Sequence, residues 1–136
     1  MTQKNVIIIR GASSSGKSTF AGLISNPCVI ITADDYFYNE AGEYKFDASQ
    51  LGIAHGMCRY NFNIAIKDPD IVNIVIANTN TKKKEWEYYS NKAEELGHRV
   101  FYIILEKRHE NTNSHQVPLD VITRQANSIK ENIKLS

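Results

Sequence analysis

One stretch near the N-terminus decides the fold of this 136-residue chain: Val6-Ile7-Ile8-Ile9-Arg10-Gly11-Ala12-Ser13-Ser14-Ser15-Gly16-Lys17-Ser18-Thr19. It begins with a β-branched run typical of a buried parallel strand. The segment 11–18 then matches the pattern G-x-x-x-x-G-K-[ST], and the residues 18–24 continue with a helical composition. A strand, a glycine loop and a helix in this order make a phosphate-binding loop (P-loop), in which backbone N–H groups and the helix N-terminus point at an anion.

The loop predicts a binding site for a nucleoside triphosphate. Lys17 is expected to reach the β- and γ-phosphates, and the Ser18 hydroxyl is expected to be a ligand of Mg²⁺. The residues predicted to bind the nucleotide are Gly11, Ala12, Ser13, Ser14, Ser15, Gly16, Lys17, Ser18 and Thr19. An Asn-Lys-x-Asp segment of the kind that reads guanine does not occur in the sequence. We therefore predict ATP and Mg²⁺ as the cofactors.

Length and composition are those of a single soluble domain. Hydrophobic residues make up 42% of the chain and charged residues 23%, which is ordinary for a globular protein. The formal charge of +1 supplies no global field that would attract nucleic acid, so any polyanion site must be local. No segment reaches the ~20 apolar residues of a membrane span. We expect one domain over residues 1–136 that is soluble and cytoplasmic, with two reduced cysteines and no membrane partner.

Apolar runs alternate with helical patterns along the chain. The strands are expected at residues 5–10, 28–32, 71–77 and 99–105. The helices that follow are expected at residues 47–66, 82–96 and about 118–133. Such alternation implies right-handed crossovers and a parallel sheet covered on both faces. The predicted fold is α/β, a three-layer P-loop NTPase of the nucleotide-kinase type with a mainly parallel sheet of about four strands.

Acidic residues that follow a strand are candidates for the reaction chemistry, because ligands bind beyond the carboxyl ends of a parallel sheet. Asp34 and Asp35 directly follow the second strand. One of these carboxylates is predicted to accept the proton of an attacking hydroxyl; the alternative is that the pair caps a helix. After the third strand the chain has Ala77 and amides in place of a carboxylate. We predict Ser18 and Asp34 as metal ligands and Asp35, Asn78, Asn80 and Arg124 as substrate-binding residues.

A polar segment at about 106–117 separates the last strand from the last helix. In a P-loop kinase this is the position of a lid that closes over the phosphates, and the alternative is an ordinary surface loop. Arg108 lies at its start and is predicted to be catalytic, because the transferred phosphoryl group needs a cation besides Lys17.

Two further patterns have competing interpretations. Tyr36, Phe37 and Tyr38 follow the aspartates and either stack on a base or close the core. His55 and Cys58 are one helical turn apart, but two such residues without a second pair favour packing over a metal site.

Taken together, several segments resemble the P-loop kinases related to polynucleotide 5′-kinases and the zeta-toxin-like ATPases. The matching segments are Arg10-Gly11…Gly16-Lys17-Ser18-Thr19, Ala33-Asp34-Asp35-Tyr36-Phe37, Tyr44-Lys45-Phe46-Asp47, Ala54-His55…Cys58, Asn78-Thr79-Asn80-Thr81 and His115-Gln116-Val117-Pro118-Leu119. They occur in the family's order and cover most of the chain.

The resemblance implies a four-stranded parallel core with the third strand between the second and the first. It implies that Asp34 is the general base that activates a 5′-hydroxyl for attack on the γ-phosphate, and that Arg108 is the lid arginine. Three features depart from the family: Phe37 replaces a substrate-binding arginine, Ala77 replaces an acid or serine, and a second arginine expected in the last helix is absent near Ile129-Lys130.

Three functions follow from these observations. The first is an ATP-dependent kinase that phosphorylates the 5′-hydroxyl of a polynucleotide. The second is a kinase of the same fold that acts on a nucleoside, sugar or antibiotic hydroxyl, and the loss of the arginine at position 37 favours it. The third is a non-catalytic ATP-binding module that regulates a partner protein.

Overall fold

The computed structural model describes residues 3–13, 15–24, 28–106 and 117–133. Its central sheet has four parallel strands: β1 (Asn5–Arg10), β2 (Cys28–Ile31), β3 (Asn73–Ala77) and β4 (Arg99–Ile104). Their order is β2-β3-β1-β4, so that β3 lies between β2 and β1 as the resemblance implied. The predicted α/β P-loop NTPase fold is therefore confirmed.

Helices connect the strands at nearly the predicted positions. They are α1 (Lys17–Ala21), α2 (Leu51–Ala65), α3 (Lys83–Glu95) and α4 (Leu119–Glu131), and 3-10 helical turns cover Ala33–Phe37 and Ala48–Gln50. The expected helix over 18–24 is shorter than predicted: α1 ends at Ala21, and the N–H groups of Leu23 and Ile24 donate only three residues back, to the carbonyl oxygens of Phe20 and Ala21. Among the described residues, no helix has the length and hydropathy needed to cross a membrane.

The core has two parts, one on each face of the sheet. The larger part packs β1 and β3 side chains such as Ile8 and Ile74 against Phe62 of α2 and Tyr89 of α3. The smaller part packs the alternate residues of the same strands against Ala21 of α1. Because both faces of β1 and β3 are covered, these strands consist of continuous β-branched runs.

Phe62 is expected to contribute strongly to stability, because it is fully buried between α2 and α3. The change Phe62→Ala should lower the free energy of unfolding by about 3–5 kcal/mol, through lost burial and the cavity left behind. Phe46 is 54% exposed and offers a matched control, for which Phe46→Ala should cost about 1 kcal/mol or less. Urea denaturation of the two variants would measure the difference, and equal losses would contradict this description of the core.

The candidate functional residues meet where the strands end. The P-loop follows β1, the two aspartates follow β2, and residues 78–81 follow β3. In a parallel sheet these carboxyl ends lie along one edge. Ser14, Arg108 and residues 107–116 of the expected lid lie outside the described part of the chain.

Candidate functional site

Two positions of the P-loop, Gly11 and Gly16, favour glycine for different reasons. Gly16 has φ 96°, a left-handed conformation that glycine adopts without strain. At Gly11 there is no room for a larger residue, because an added Cβ would lie 2.4 Å from Ser15 Oγ and 3.3 Å from the Leu105 carbonyl oxygen. The Gly11 N–H also donates to Thr79 O at 3.1 Å, which joins the loop to the segment that follows β3.

Lys17 lies folded over the loop that precedes it. Its Nζ donates to the carbonyl oxygens of Gly11 at 3.1 Å and Ala12 at 2.9 Å. Burial lowers the pKa of Lys17 to about 8, and the nearby Asp34 carboxylate partly opposes this effect. An anion in the loop would stabilise the charged ammonium, so the site is suited to phosphate.

Thr32 caps the turn that contains Asp34. Its Oγ1 accepts from the Asp34 N–H at 3.2 Å at the start of the 3-10 turn Ala33–Phe37, so the N-cap of this turn is a threonine and not one of the two aspartates. Asn78 Oδ1 accepts from the Ala33 N–H at 2.8 Å, which fixes the end of β2 against the end of β3. The Asp34 side chain is half-buried and interacts electrostatically with Lys17 across the same edge.

Tyr44 orients the Asp34 carboxylate. Its hydroxyl donates to Asp34 Oδ1 at 3.2 Å. Burial, followed by the charge of Asp34, raises the pKa of Tyr44, so the phenol keeps its proton and remains a donor. An isolated antiparallel bridge between Tyr38 and Tyr44 brings this side chain back to the site.

We expect Tyr44→Phe to lower kcat for phosphoryl transfer by about tenfold, because a hydrogen bond to a charged group contributes roughly 1.5–3 kcal/mol. The KM for ATP should change little, since the hydroxyl contacts the aspartate and not the P-loop. Tyr60 is 61% exposed on α2, and Tyr60→Phe is the matched control. Steady-state kinetics would test this role, which fails if both variants retain the wild-type kcat.

Asp35 faces a different environment from Asp34. It is exposed and lines a cavity of about 260 Å³ between β2 and α2, together with Thr32 and Asn61. Partial burial and the neighbouring Asp34 charge raise the pKa of Asp35. Its substrate-binding role stays a prediction.

The two asparagines after β3 brace the site from within. Asn80 is 1% exposed, has φ 48° and donates from Nδ2 to the Ile9 carbonyl oxygen at 2.8 Å. Asn78 is also buried, and its Nδ2 donates to Cys58 Sγ at 3.9 Å. The predicted contact of Asn78 and Asn80 with substrate stays a prediction, and the structure adds a role in holding the strand ends together.

Arg10 is a buried cation that braces the same segment. Its Nε donates to the Asn80 carbonyl oxygen at 2.7 Å, and Nη2 donates to Asn132 Oδ1. Its guanidinium lies 3.8 Å from the Trp86 ring centroid. With these partners Arg10 stabilises the loop after β3 and does not extend toward the phosphate site.

A second cavity adjoins the P-loop on the side of β4. It measures about 430 Å³ and is lined by Ser15, Gly16, Thr19, Phe20, Leu23, Leu105 and Glu106. Ser15, Gly16 and Thr19 were predicted from the P-loop motif to bind the nucleotide. The apolar side chains of this lining were not predicted, although Phe20 and Leu23 belong to the segment that directly follows the motif.

Comparison with known proteins agrees with this architecture. The sequence model of a family described as AAA domain matches residues 6–131. The human NEDD4-binding protein 2 is 35% identical over 102 residues, which is 71% of this chain and 6% of that protein. This chain therefore spans only a small part of the relative's length.

Solved structures with the same fold are more distant in sequence. A chain of the Pnkp1/Rnl/Hen1 complex has a TM-score of 0.60 at 16% identity, over 99% of this chain and 42% of that one. A mutant of the APS kinase CysC from Mycobacterium tuberculosis has a TM-score of 0.55 at 14% identity, over 96% and 97% of the two chains. At these identities the likeness concerns the fold alone.

Proposed function

The chain belongs to the AAA domain family and has a P-loop kinase-like fold, and we propose that it transfers the γ-phosphate of ATP to a hydroxyl group. One observation carries the proposal: Asp34 and Lys17, which follow different strands, interact electrostatically at the same edge of the sheet. A candidate base and a candidate phosphate ligand are thus brought together.

On the donor side, the loop amides and Lys17 hold the phosphates, and the cavity of about 430 Å³ beside β4 receives the nucleoside. Among the described residues there is no group of three or more His, Cys, Asp or Glu side chains that could hold a metal. Proteins bind Mg²⁺ through one or two side chains together with substrate phosphates. Ser18 and Asp34 are the residues that would hold it, and bound Mg²⁺ would neutralise phosphate charge.

On the acceptor side, Asp34 accepts the proton of the attacking hydroxyl while the hydroxyl oxygen bonds to the γ-phosphorus and ADP leaves. Tyr44 keeps the carboxylate oriented during this step. Lys17 stabilises the negative charge on the transferred group, and we assign the same role to Arg108 from its position in the sequence.

The acceptor we propose is the 5′-hydroxyl of a polynucleotide. It is supported by the resemblance of the sequence motifs to polynucleotide 5′-kinases and by Tyr36 and Tyr38, which are 36% and 45% exposed beside Asp34 and are able to stack on bases. One observation favours a small hydroxylated molecule instead. Phe37, at the position of the family's substrate-binding arginine, is 6% exposed and belongs to the core, so no cation is available there.

An acceptor panel with γ-labelled ATP separates these possibilities. Label on 5′-hydroxyl DNA or RNA supports the polynucleotide kinase, whereas label on a nucleoside, sugar or aminoglycoside alone supports the small-molecule kinase. ATP binding that depends on Lys17, with no transfer to any acceptor, would overturn the kinase proposal in favour of a non-catalytic ATP-binding module.

A further inference from the structure

One face of α2 exposes large apolar side chains to solvent. Ile53 is 56% exposed, Met57 44%, Tyr60 61% and Ile64 53%. These positions are separated by four, three and four residues, so they form one stripe along the helix, which we call the α2 stripe. The other side of the same helix carries residues of the core, such as Phe62. α2 is therefore apolar on two sides, although it packs against its own sheet with one of them.

Charged side chains are absent from the α2 stripe. The one Asp, Glu, Lys or Arg residue within α2 is Arg59, and its guanidinium lies 6.0 Å from the ring centroid of Tyr88 on α3. On the neighbouring α3, by contrast, charged residues such as Lys84, Glu94 and Glu95 occupy exposed positions. A polar outer face is usual for a surface helix, whereas loss of charge together with Met and Tyr is typical of the centre of a protein–protein interface.

The α2 stripe is complementary to a second copy of itself. The midpoint between Met57 and Tyr60 is also the midpoint between Ile53 and Ile64. Two copies of α2 can therefore cross antiparallel about a twofold axis at this point, with the same residues contributed by both copies. Ile53 then lies opposite the partner's Ile64. Met57 lies opposite the partner's Tyr60, so that each apolar side chain of the stripe meets another one.

The charges beyond the two ends of the stripe favour this antiparallel orientation. The first charged residue before the stripe is Asp47, and the first one after it is Lys67; both are exposed. An antiparallel pair places Asp47 near the partner's Lys67, whereas a parallel pair would place like charges together. The antiparallel pair also brings opposite ends of the two helix macrodipoles together.

We propose that the chain forms a homodimer through antiparallel contact of the α2 stripes of two copies. Ile64 also lines the cavity of about 260 Å³ that contains Asp35, so the partner's Ile53 covers the apolar end of this cavity. A contact of one helix per protomer is at the lower end of interface sizes, at about 1,200 Å² in total. We therefore expect a dissociation constant of roughly 1–100 µM.

Sedimentation equilibrium of the protein without nucleotide, at concentrations that span about 1–100 µM, measures this dimer. Met57→Glu places an unpaired carboxylate at the centre of the contact and should weaken dimerisation about 30-fold or more. Leu119→Glu adds the same charge at a position of α4 that is 78% exposed, and this control should keep the wild-type dissociation constant. Wild-type protein that stays monomeric overturns the proposal, and so does a Met57→Glu variant that dimerises as well as the wild type.

A pair of opposite charges tests the orientation and guards against a variant that simply misfolds. Ile53→Lys and Ile64→Glu should each weaken the dimer. The two changes in one chain should restore it to within about tenfold of the wild type, because each new ammonium group then faces a carboxylate of the partner. A double variant that dimerises no better than the single variants overturns the antiparallel pairing. These measurements involve no nucleotide, so their result is independent of whether the protein transfers phosphate.

Discussion

Asp34→Asn is expected to lower phosphoryl transfer by about 100-fold or more, the lower limit of what a general base contributes. The substitution preserves shape, and the Tyr44 hydroxyl can still donate to the carboxamide oxygen, so the turn after β2 should stay folded. Binding of ATP measured without Mg²⁺ should be unchanged or slightly tighter, because a negative charge near the phosphates is removed. Single-turnover transfer, with ATP affinity measured in parallel, would separate the two effects.

The neighbouring aspartate supplies the comparison. Asp35→Asn removes a carboxylate that lines the cavity between β2 and α2 rather than facing Lys17. We expect it to raise the KM for the acceptor more than it lowers kcat. A large loss of kcat in Asp35→Asn, together with normal transfer by Asp34→Asn, would show that Asp35 and not Asp34 is the base.

Lys17→Met should abolish most of the activity, with a loss of roughly 100- to 1,000-fold in kcat/KM, as for removal of a preorganised donor at the reacting group. The pH dependence of ATP binding is a second signature. Burial holds the pKa of Lys17 at about 8, and bound phosphate raises that pKa, so ATP binding above pH 8 is accompanied by protonation of Lys17. Wild-type affinity for ATP should therefore fall as the pH rises above about 8.

The variant should lose this pH dependence, whereas Lys84→Met, at an exposed position of α3, should keep it. Lys17→Met should also be more stable than wild type below pH 8, because the folded protein no longer buries an ammonium group there. Isothermal titration and thermal unfolding measure these effects. An unchanged pH profile in Lys17→Met would show that another group controls phosphate binding.

The sheet was predictable because its two central strands are buried on both faces. Such strands need continuous β-branched runs, and Ile7-Ile8-Ile9 and Ile74-Val75-Ile76 are runs of this kind. The order of the strands came from the family resemblance, since periodicity carries no information about which strands are neighbours. Helix ends were less accurate: α1 ends at Ala21 although Leu23 and Ile24 continue the apolar pattern.

The predicted ends of the strands were sufficient to predict that the two aspartates lie at the same edge of the sheet as the P-loop. The contacts between individual side chains could not be predicted. Thr32 caps the turn in place of an aspartate, and this depends on a backbone angle that the sequence does not specify. Tyr44 reaches Asp34 only because the chain folds back through an isolated bridge. Gln125 meets Ser13 across 112 residues, and no local pattern marks such a pair.

The three aromatic residues that follow the aspartates, residues 36–38, differ in burial although they are consecutive. The core interpretation applies to Phe37, and stacking on a base stays a prediction for Tyr36 and Tyr38. Phe37 is 6% exposed and packs in the core, whereas Tyr36 and Tyr38 on either side are 36% and 45% exposed. The sequence alone left both interpretations open, because consecutive residues of a short turn point in different directions. The composition does not reveal which of these side chains points into the core.

The central claim is that this site moves the γ-phosphate of ATP to a hydroxyl group with Asp34 as the base. Its most direct test is the transfer of label from γ-labelled ATP to 5′-hydroxyl oligonucleotides, by wild-type protein and Asp34→Asn side by side. We predict labelled 5′-phosphate ends with the wild type and about 100-fold fewer with the variant. Equal labelling by the two proteins, or ATP binding by the wild type with no label on any oligonucleotide or small hydroxylated acceptor, would contradict it.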